Sequence, residues 1–309
     1  MIPMRLIKMC ATAGVACAAV IQLGAQVIWS DNFSSYNLGD LDSNESGGPN
    51  QAPNGGPGNP WWGPNPGNLA VANSFNGITP YNGATHLVDG QGASDYMEQL
   101  NNIGYRLHGG NNFLGNVTLS WAFYDPVGSG ANASGYNDIA YLNGYQSADG
   151  YTATKDYTGS GPDLQGTYTA GDELLGLGAN GTAGGANSGF YQARVIGAST
   201  ANEGATYTGA NGWFNLNAAR TVGWHTGAIV LGSPNGANTT VSMLIDGHDV
   251  LDETLGATVG VNTIAVDSAW GSQIGAFDNF ALSVPEPGAL SLLVCSGLVC
   301  LARRPRPSR

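Results

Sequence analysis

The stretch from about residue 26 to residue 283 has a composition that opposes helices and favours short strands. It holds most of the chain's 48 glycines, is rich in Asn, Ser and Thr, and is poor in Lys and Glu. Glycine weakens a helix interior, whereas Gly and Asn serve tight turns. No window of a dozen residues repeats its apolar positions with the 3.6-residue period of a helix. We therefore expect an all-β body.

Apolar and polar residues alternate in several short segments of this body. In residues 116–124 the odd-numbered positions from Val117 to Phe123 are apolar, and residues 239–246 repeat the pattern up to Asp246-Gly247, a hairpin-turn signal. Many short strands separated by turns indicate one sandwich or barrel domain, with a loop at 43–67 and a loop-rich stretch at 125–189, in which the segments around Tyr141 and at Leu174–Leu177 could supply short strands. The other predicted strands are 27–33, 69–75, 85–88, 105–108, 190–196, 221–231, 259–266 and 276–284.

The amino-terminal end has the layout of a secretory signal peptide. Arg5 and Lys8 precede an apolar, small-residue stretch over 9–23, and Leu23-Gly24-Ala25 offers a signal-peptidase cleavage site. We therefore predict that residues 1–25 form a signal helix that signal peptidase removes after Ala25.

The carboxyl-terminal end has three parts in a fixed order. Pro285, Glu286 and Pro287 precede 14 apolar residues, 289–302, and a basic cluster then follows: Arg303, Arg304, Arg306 and Arg309. The apolar run is shorter than the roughly 20 residues of a membrane-spanning helix. A buried core helix would be striped instead of apolar all round, and a plain membrane anchor would not need Pro-Glu-Pro.

This order resembles the PEP-CTERM sorting signal of Gram-negative bacteria. The resemblance implies a hydrophobic helix within residues 284–309 and transient retention in the inner membrane, with the arginines as a cytoplasmic stop. It also implies processing by an exosortase and a final place at the cell surface or outside the cell, where this sorting family is often linked to exopolysaccharide.

Cysteine and charge set further limits on the body, residues 26–283. All four cysteines lie in the two end segments, so the core must hold this domain without disulfides. Four Lys and Arg against 21 Asp and Glu leave the body a formal charge near −17. Such a surface repels nucleic acid and anionic lipid, so neither is expected as a partner.

Four short motifs resemble those of laminin-G-like and concanavalin A-like proteins. Asp31-Asn32-Phe33 opens the body and Asp278-Asn279-Phe280 closes it, while a strand begins at Gly223-Trp224-His225 and another ends at Asp246-Gly247. The resemblance implies an antiparallel jelly-roll β-sandwich in which the terminal strands are neighbours. It also implies a lectin-like body that binds polysaccharide.

The sequence offers no local signature of catalysis. Glycosidases of the resembling families carry both carboxylates on one strand in an E-x-D-x-x-E arrangement, which the five body glutamates do not form. Asp172-Glu173 and Asp252-Glu253 are adjacent, and neighbours on a strand point to opposite faces. No G-x-S-x-G or zinc-type His spacing occurs. We therefore predict that the chain is not an enzyme, while a carboxylate pair from separate strands stays open.

Two candidate sites follow from side-chain chemistry. Asp246, Asp249 and Asp252 lie within seven residues and offer oxygens to a structural calcium ion, although Asp246-Gly247 also fits a plain hairpin turn. No other cofactor is expected.

Exposed tryptophans beside asparagines would stack on sugar rings. Trp61, Trp62 and Trp213 have this setting, although the first two would equally plug one end of the sandwich. Polysaccharide binding is the leading hypothesis. A glycan-cleaving enzyme on the same fold and a purely structural surface protein are the alternatives.

Overall fold

A computed structural model describes residues 25–41, 61–62, 69–90, 98–101, 103, 107–108, 111–129, 137–144, 173–180, 189–196, 213–236, 238–255, 260–269 and 275–285. The predicted signal helix, the carboxyl-terminal hydrophobic helix, Glu286, Pro287 and the basic cluster lie outside these residues. Pro285 is the last residue of the final strand. Within the described part, no helix has the length and apolar character needed to cross a bilayer.

The described residues form eighteen strands and one short 3-10 turn, Tyr81–Gly83. The strands are β1 (Ala25–Asp31), β2 (Gly39–Asp40), β3 (Trp61–Trp62), β4 (Leu69–Ala72), β5 (Leu87–Gly90), β6 (Glu98–Asn101), β7 (Phe113–Leu114), β8 (Val117–Asp125), β9 (Asn137–Gly144), β10 (Glu173–Asn180), β11 (Phe190–Ile196), β12 (Trp213–Ala219), β13 (Gly223–Leu231), β14 (Thr239–Ile245), β15 (His248–Leu255), β16 (Gly260–Val261), β17 (Thr263–Ala269) and β18 (Ala276–Pro285).

Two large antiparallel sheets account for most of these strands, which confirms the predicted all-β sandwich. The nine-stranded sheet has the order β15-β14-β13-β8-β18-β5-β4-β2, with β1 also paired to β18. The seven-stranded sheet has the order β12-β11-β10-β9-β17-β6-β3, and β16 pairs with β7 separately. The first and last strands are therefore neighbours, as the two Asp-Asn-Phe segments predicted.

The chain divides into a main unit, Trp29–Leu282, and a smaller unit made of Met1–Ile28 and Ser283–Arg309. In the main unit, alternate residues of both sheets form the core. Phe123 and Phe280 of the nine-stranded sheet are buried, as are Leu142 and Leu177 of the seven-stranded sheet. Trp61 meets Phe280 edge to face, with ring centroids 5.5 Å apart. Aromatic contacts of this kind add about 0.5–1.5 kcal/mol each to the stabilisation from buried area.

The loop prediction for residues 43–67 was wrong in part, whereas the short strands expected around Tyr141 and at Leu174–Leu177 within residues 125–189 are confirmed. Strand β3 lies in the first range, and β9 and β10 lie in the second. Residues 139–142 of β9 are all buried, so this strand lacks the alternation that marks a strand with one face in water. The predicted strand 105–108 falls largely outside the described residues.

Candidate functional site

The seven-stranded sheet has one apolar face and one face on which polar and apolar residues are mixed. Leu142 on β9 pairs with Leu175 on β10 and with Ile264 on β17, and all three are buried in the core between the sheets. Because successive residues of a strand point to opposite faces, the residues between them lie on the face turned away from the core.

On that outer face, one residue from each strand falls in register across the whole sheet. We call this set the polar row: Trp62, Leu100, Ala265, Tyr141, Gly176, Arg194 and Trp213. Neighbouring strands lie about 4.8 Å apart, so the row extends about 29 Å. Trp62 and Trp213 occupy its two ends, and Tyr141 and Arg194 lie near its middle.

Gly176 lies in the middle of the polar row, and the ring of its neighbour Tyr141 covers it. A Cβ atom added to Gly176 would lie 2.4 Å from Cε1 of Tyr141. Only glycine leaves room for the ring at this position. Any larger residue would displace Tyr141. In the sequence Leu175-Gly176-Leu177, the two leucines therefore face the core, and the glycine between them makes room for the buried Tyr141 ring on the other face.

Polar side chains on this face are buried. Arg194, Asn143 and Tyr141 have no exposed surface, and Gln192 retains only 2%. Burial of such groups is costly unless they are hydrogen-bonded, so the structure around this face must supply partners for them. None of the four stands in a sequence motif that marks a site, because each is brought to this face only by the pairing of distant strands.

A second row on the same face places two carboxylate residues side by side. Glu98 on β6 pairs with Asp267 on β17, two residues along each strand from the polar row. Directly opposed residues of antiparallel strands have Cβ atoms about 4.5–5.5 Å apart. The pair joins distant parts of the chain, so no local spacing in the sequence reveals it.

Trp61 does not present a ring to sugars, so that prediction was wrong. It has 0% exposure, and its Nε1–H donates to Oδ2 of Asp31 at 2.9 Å. Adjacent residues on β3 face opposite ways, so Trp61 plugs the core while Trp62 occupies the polar row. Trp213 is also in that row, and the side chains of both Trp62 and Trp213 lie outside the described part.

The three aspartates do not assemble a calcium site, which corrects that prediction. Oδ1 of Asp246 accepts from the Thr226 N–H at 2.9 Å, and its Oδ2 contacts Nδ1 of His225 at 2.8 Å. Asp249 and Asp252 lie along β15, in register with Leu244 and Ser242. Among the described residues, no three His, Cys, Asp or Glu side chains come together as a metal site.

The alternative interpretation of Asp246-Gly247 is confirmed. Asp246 has φ 51° and Gly247 has φ 75°, and the flanking Ile245 and His248 pair with each other. Two successive positive φ values are the mark of a type I′ hairpin turn.

A buried ion pair holds the carboxyl-terminal end of β8 in place. Asp125 and Arg220 share two hydrogen bonds, at 2.7 Å from Nε to Oδ2 and 2.9 Å from Nη2 to Oδ1, and both side chains are fully buried. Oδ1 of Asp125 also accepts from the N–H groups of Val127 and Gly128, at 2.9 Å each. This carboxylate therefore orders both β8 and the turn that follows it.

Two other aspartates are held in apolar surroundings. Burial raises the pKa of the Asp278 carboxyl to about 7, with Asp31 adding to the rise and the N–H groups of Asn279 and Tyr81 opposing it. Burial likewise raises the pKa of Asp89 to about 6. Asp89 pairs with Ala276 on the neighbouring strand, so both groups belong to the β5–β18 region.

No family model and no curated protein matches this chain. Among solved structures, the chain is similar to an endo-1,3-beta-glucanase from Streptomyces sioyaensis, with 11% identity over 85% of this chain and 98% of that chain, at a TM-score of 0.50. A glucuronan lyase from the fungus Trichoderma reesei matches at 11% identity, 84% and 96% coverage and a TM-score of 0.43. A legume lectin-like domain from Entamoeba histolytica matches at 11% identity over 65% of this chain and 84% of that chain, at a TM-score of 0.38.

The glucanase comparison shows a shared jelly-roll fold and corrects the prediction that the chain is not an enzyme. That prediction relied on the missing E-x-D-x-x-E spacing. The fold supports a glucanase in another protein, and Glu98 and Asp267 are register partners on neighbouring strands without that spacing. The missing local motif is therefore no ground for excluding catalysis.

Proposed function

We propose that this protein binds an extended polysaccharide along the polar row of the seven-stranded sheet. The observation that carries the proposal is the register that places Trp62 and Trp213 at the two ends of one row across all seven strands, with Tyr141 and Arg194 buried near its middle. Sugar rings stack on aromatic side chains, and the two tryptophans are the residues of the row proposed to supply them. A row of about 29 Å suits a chain of several sugar units.

Replacement of Trp62 and of Trp213 by alanine tests the binding. We expect each substitution to weaken binding of a β-1,3-glucan oligosaccharide by a factor of about 2 to 10, because one stacked ring contributes about 0.5–1.5 kcal/mol. The β-1,3 linkage is the first probe because the similar glucanase acts on it. Calorimetry on the full chain measures the affinity.

Leu38→Ala is the matched control, since Leu38 is 54% exposed and lies on a segment outside the seven-stranded sheet. Its affinity should equal that of the wild type. Unchanged affinity in both tryptophan variants, or no binding to any member of a glycan array, would contradict the proposal.

Glycan cleavage is a second candidate function, carried by the Glu98–Asp267 pair. Retaining glycosidases hold two carboxyl groups about 5–5.5 Å apart, one to attack the anomeric carbon and one to protonate the leaving oxygen. The Cβ separation of directly opposed residues is compatible with that distance. If the pair acts this way, Glu98→Gln should lower the release of reducing ends from β-1,3-glucan by at least about 100-fold. Equal release by wild type and Glu98→Gln would exclude it.

We also propose that the chain is exported and sorted by its carboxyl-terminal segment. The support is the order of Pro285-Glu286-Pro287, the apolar run and the arginine cluster. Signal peptidase and an exosortase are the processing partners, and the inner membrane is a transient location before the cell surface or medium. Mass spectrometry of the exported protein from an exosortase-bearing host should find both ends removed. Retention of Arg303, Arg304 and Arg306 in that form would contradict sorting.

A further inference from the structure

Three aromatic rings form a contiguous cluster on the outer face of the nine-stranded sheet. We call Tyr81, Tyr124 and Trp224 the outer aromatic patch. Trp224 on β13 pairs with Tyr124 on β8, and their ring centroids are 5.6 Å apart. Tyr81, from the 3-10 turn, lies 5.6 Å from Trp224. All three are half-buried, so each ring keeps surface open to solvent.

Each residue of the patch is anchored by a hydrogen bond or a ring contact to the domain beneath it. The Nε1–H of Trp224 donates to the carbonyl oxygen of Thr79 at 3.1 Å, and the backbone N–H of Tyr81 donates to buried Asp278 at 2.9 Å. Tyr124 packs edge to face on Phe75, which is itself buried with Leu87 and Ala276. The patch is therefore ordered before any ligand arrives, which lowers the entropic cost of binding.

Hydrogen-bonding groups lie at the edge of the patch. Asn82 follows Tyr81 and is exposed. Asp246, whose side chain is 48% exposed, bonds the N–H of Thr226, the next residue after Trp224 on the same face of β13. Aromatic faces flanked by amide and carboxylate oxygens match a pyranose ring, which has an apolar face and a rim of hydroxyls.

The charge of the surroundings selects among ligands. In the described part of the chain the Lys and Arg residues are Arg194 and Arg220, and both are buried. Exposed Asp246 beside the patch therefore faces no Lys or Arg of the described part, and its side chain contacts the ring of His225 at 2.8 Å. A uronic acid polymer, a nucleic acid or an anionic lipid would be repelled, whereas a neutral glycan would not.

We propose that the outer aromatic patch is a second glycan-binding surface, specific for neutral pyranose chains and separate from the polar row. It rests on the proposed polysaccharide binding only for the choice of probe. With one binding surface on each sheet, a single molecule would bridge two polysaccharide chains and gain avidity from a polymer that presents many sites.

NMR of the tryptophan indole N–H signals, recorded on the full chain, monitors the outer aromatic patch and the polar row separately. Titration with a panel of neutral oligosaccharides, β-1,3-, β-1,4- and α-linked glucans, should shift the Trp224 indole signal. An oligogalacturonate should leave it unchanged. Signals of Trp62 and Trp213 report the polar row in the same spectra. Shifts at Trp62 and Trp213 alone would overturn the patch and leave the proposed function standing. A shift at Trp224 alone would support the patch and count against the polar row.

Tyr81→Ala is the decisive variant, because it removes a ring and keeps the backbone N–H that bonds Asp278. We expect the Trp224 titration to weaken by about tenfold. Val222→Ala, at an apolar residue 60% exposed and two positions from Trp224, is the matched control and should titrate as the wild type does. An unchanged Trp224 titration in Tyr81→Ala, or no Trp224 response to any neutral glycan, would overturn the proposal.

Discussion

Substitution of Arg220 by methionine should lower the free energy of unfolding by about 3–5 kcal/mol, because it leaves a buried carboxylate without its counter-charge. Asp125 is fully buried and receives two of its hydrogen bonds from Arg220. The remaining bonds from Val127 and Gly128 do not neutralise its charge. Chemical denaturation followed by tryptophan fluorescence measures the loss.

Two controls define what that loss means. Val222→Ala, at an exposed residue two positions from Arg220, should change stability by less than about 0.5 kcal/mol. Arg220→Lys keeps the charge but not the two-pronged geometry, and should fall between wild type and Arg220→Met. A stability of Arg220→Met within 1 kcal/mol of the wild type would contradict the role assigned to the pair.

The second large effect is a loss of stability as pH rises. Asp278 has a pKa of about 7 in the folded protein against an ordinary value of 3.8, so the folded state binds its proton more tightly than the unfolded state does. Its contribution to stability is complete below about pH 4 and is lost as pH rises through 7. Between pH 5 and pH 8 this one group should remove about 2–3 kcal/mol.

Asp278→Asn isolates that titration. Asparagine accepts fewer hydrogen bonds from the N–H groups of Tyr81 and Asn279, so its absolute stability is not the readout. The readout is the difference in unfolding free energy between pH 5 and pH 8, which should shrink by about 2–3 kcal/mol in the variant. Asp249→Asn removes an exposed carboxylate and should keep the wild-type difference. An Asp278→Asn profile as steep as the wild type's would contradict the assignment.

Sequence periodicity located the strands that have one face in the core and one outside it. Residues 116–124 and 190–196 predicted β8 and β11 within one residue of their ends. The sequence indicated only short pieces of β9 and β10, because their residues are buried on both faces or are glycine and leave no alternation to mark the full strands.

The site was harder to predict than the fold, because it depends on register between distant strands. The sequence predicts one role for Trp61 and Trp62. Successive residues of a strand face opposite ways, however, so Trp61 is buried in the core and Trp62 belongs to the polar row. Glu98 was dismissed for lacking a partner at a fixed spacing, whereas its neighbour Asp267 comes from a strand near the other end of the body. Tyr141 and Arg194 carry no sequence signal of function.

The position of the last strand, β18, determines when the nine-stranded sheet can be completed. Strand β18 lies between β8 and β5, so a nascent chain that stops before residue 276 cannot join the two halves of the nine-stranded sheet. Pairings such as Phe277 with Val88 span roughly 190 residues, and such long-range closure is slow. The sheet is therefore completed only after translation of the whole body, and until then its two halves stay unjoined.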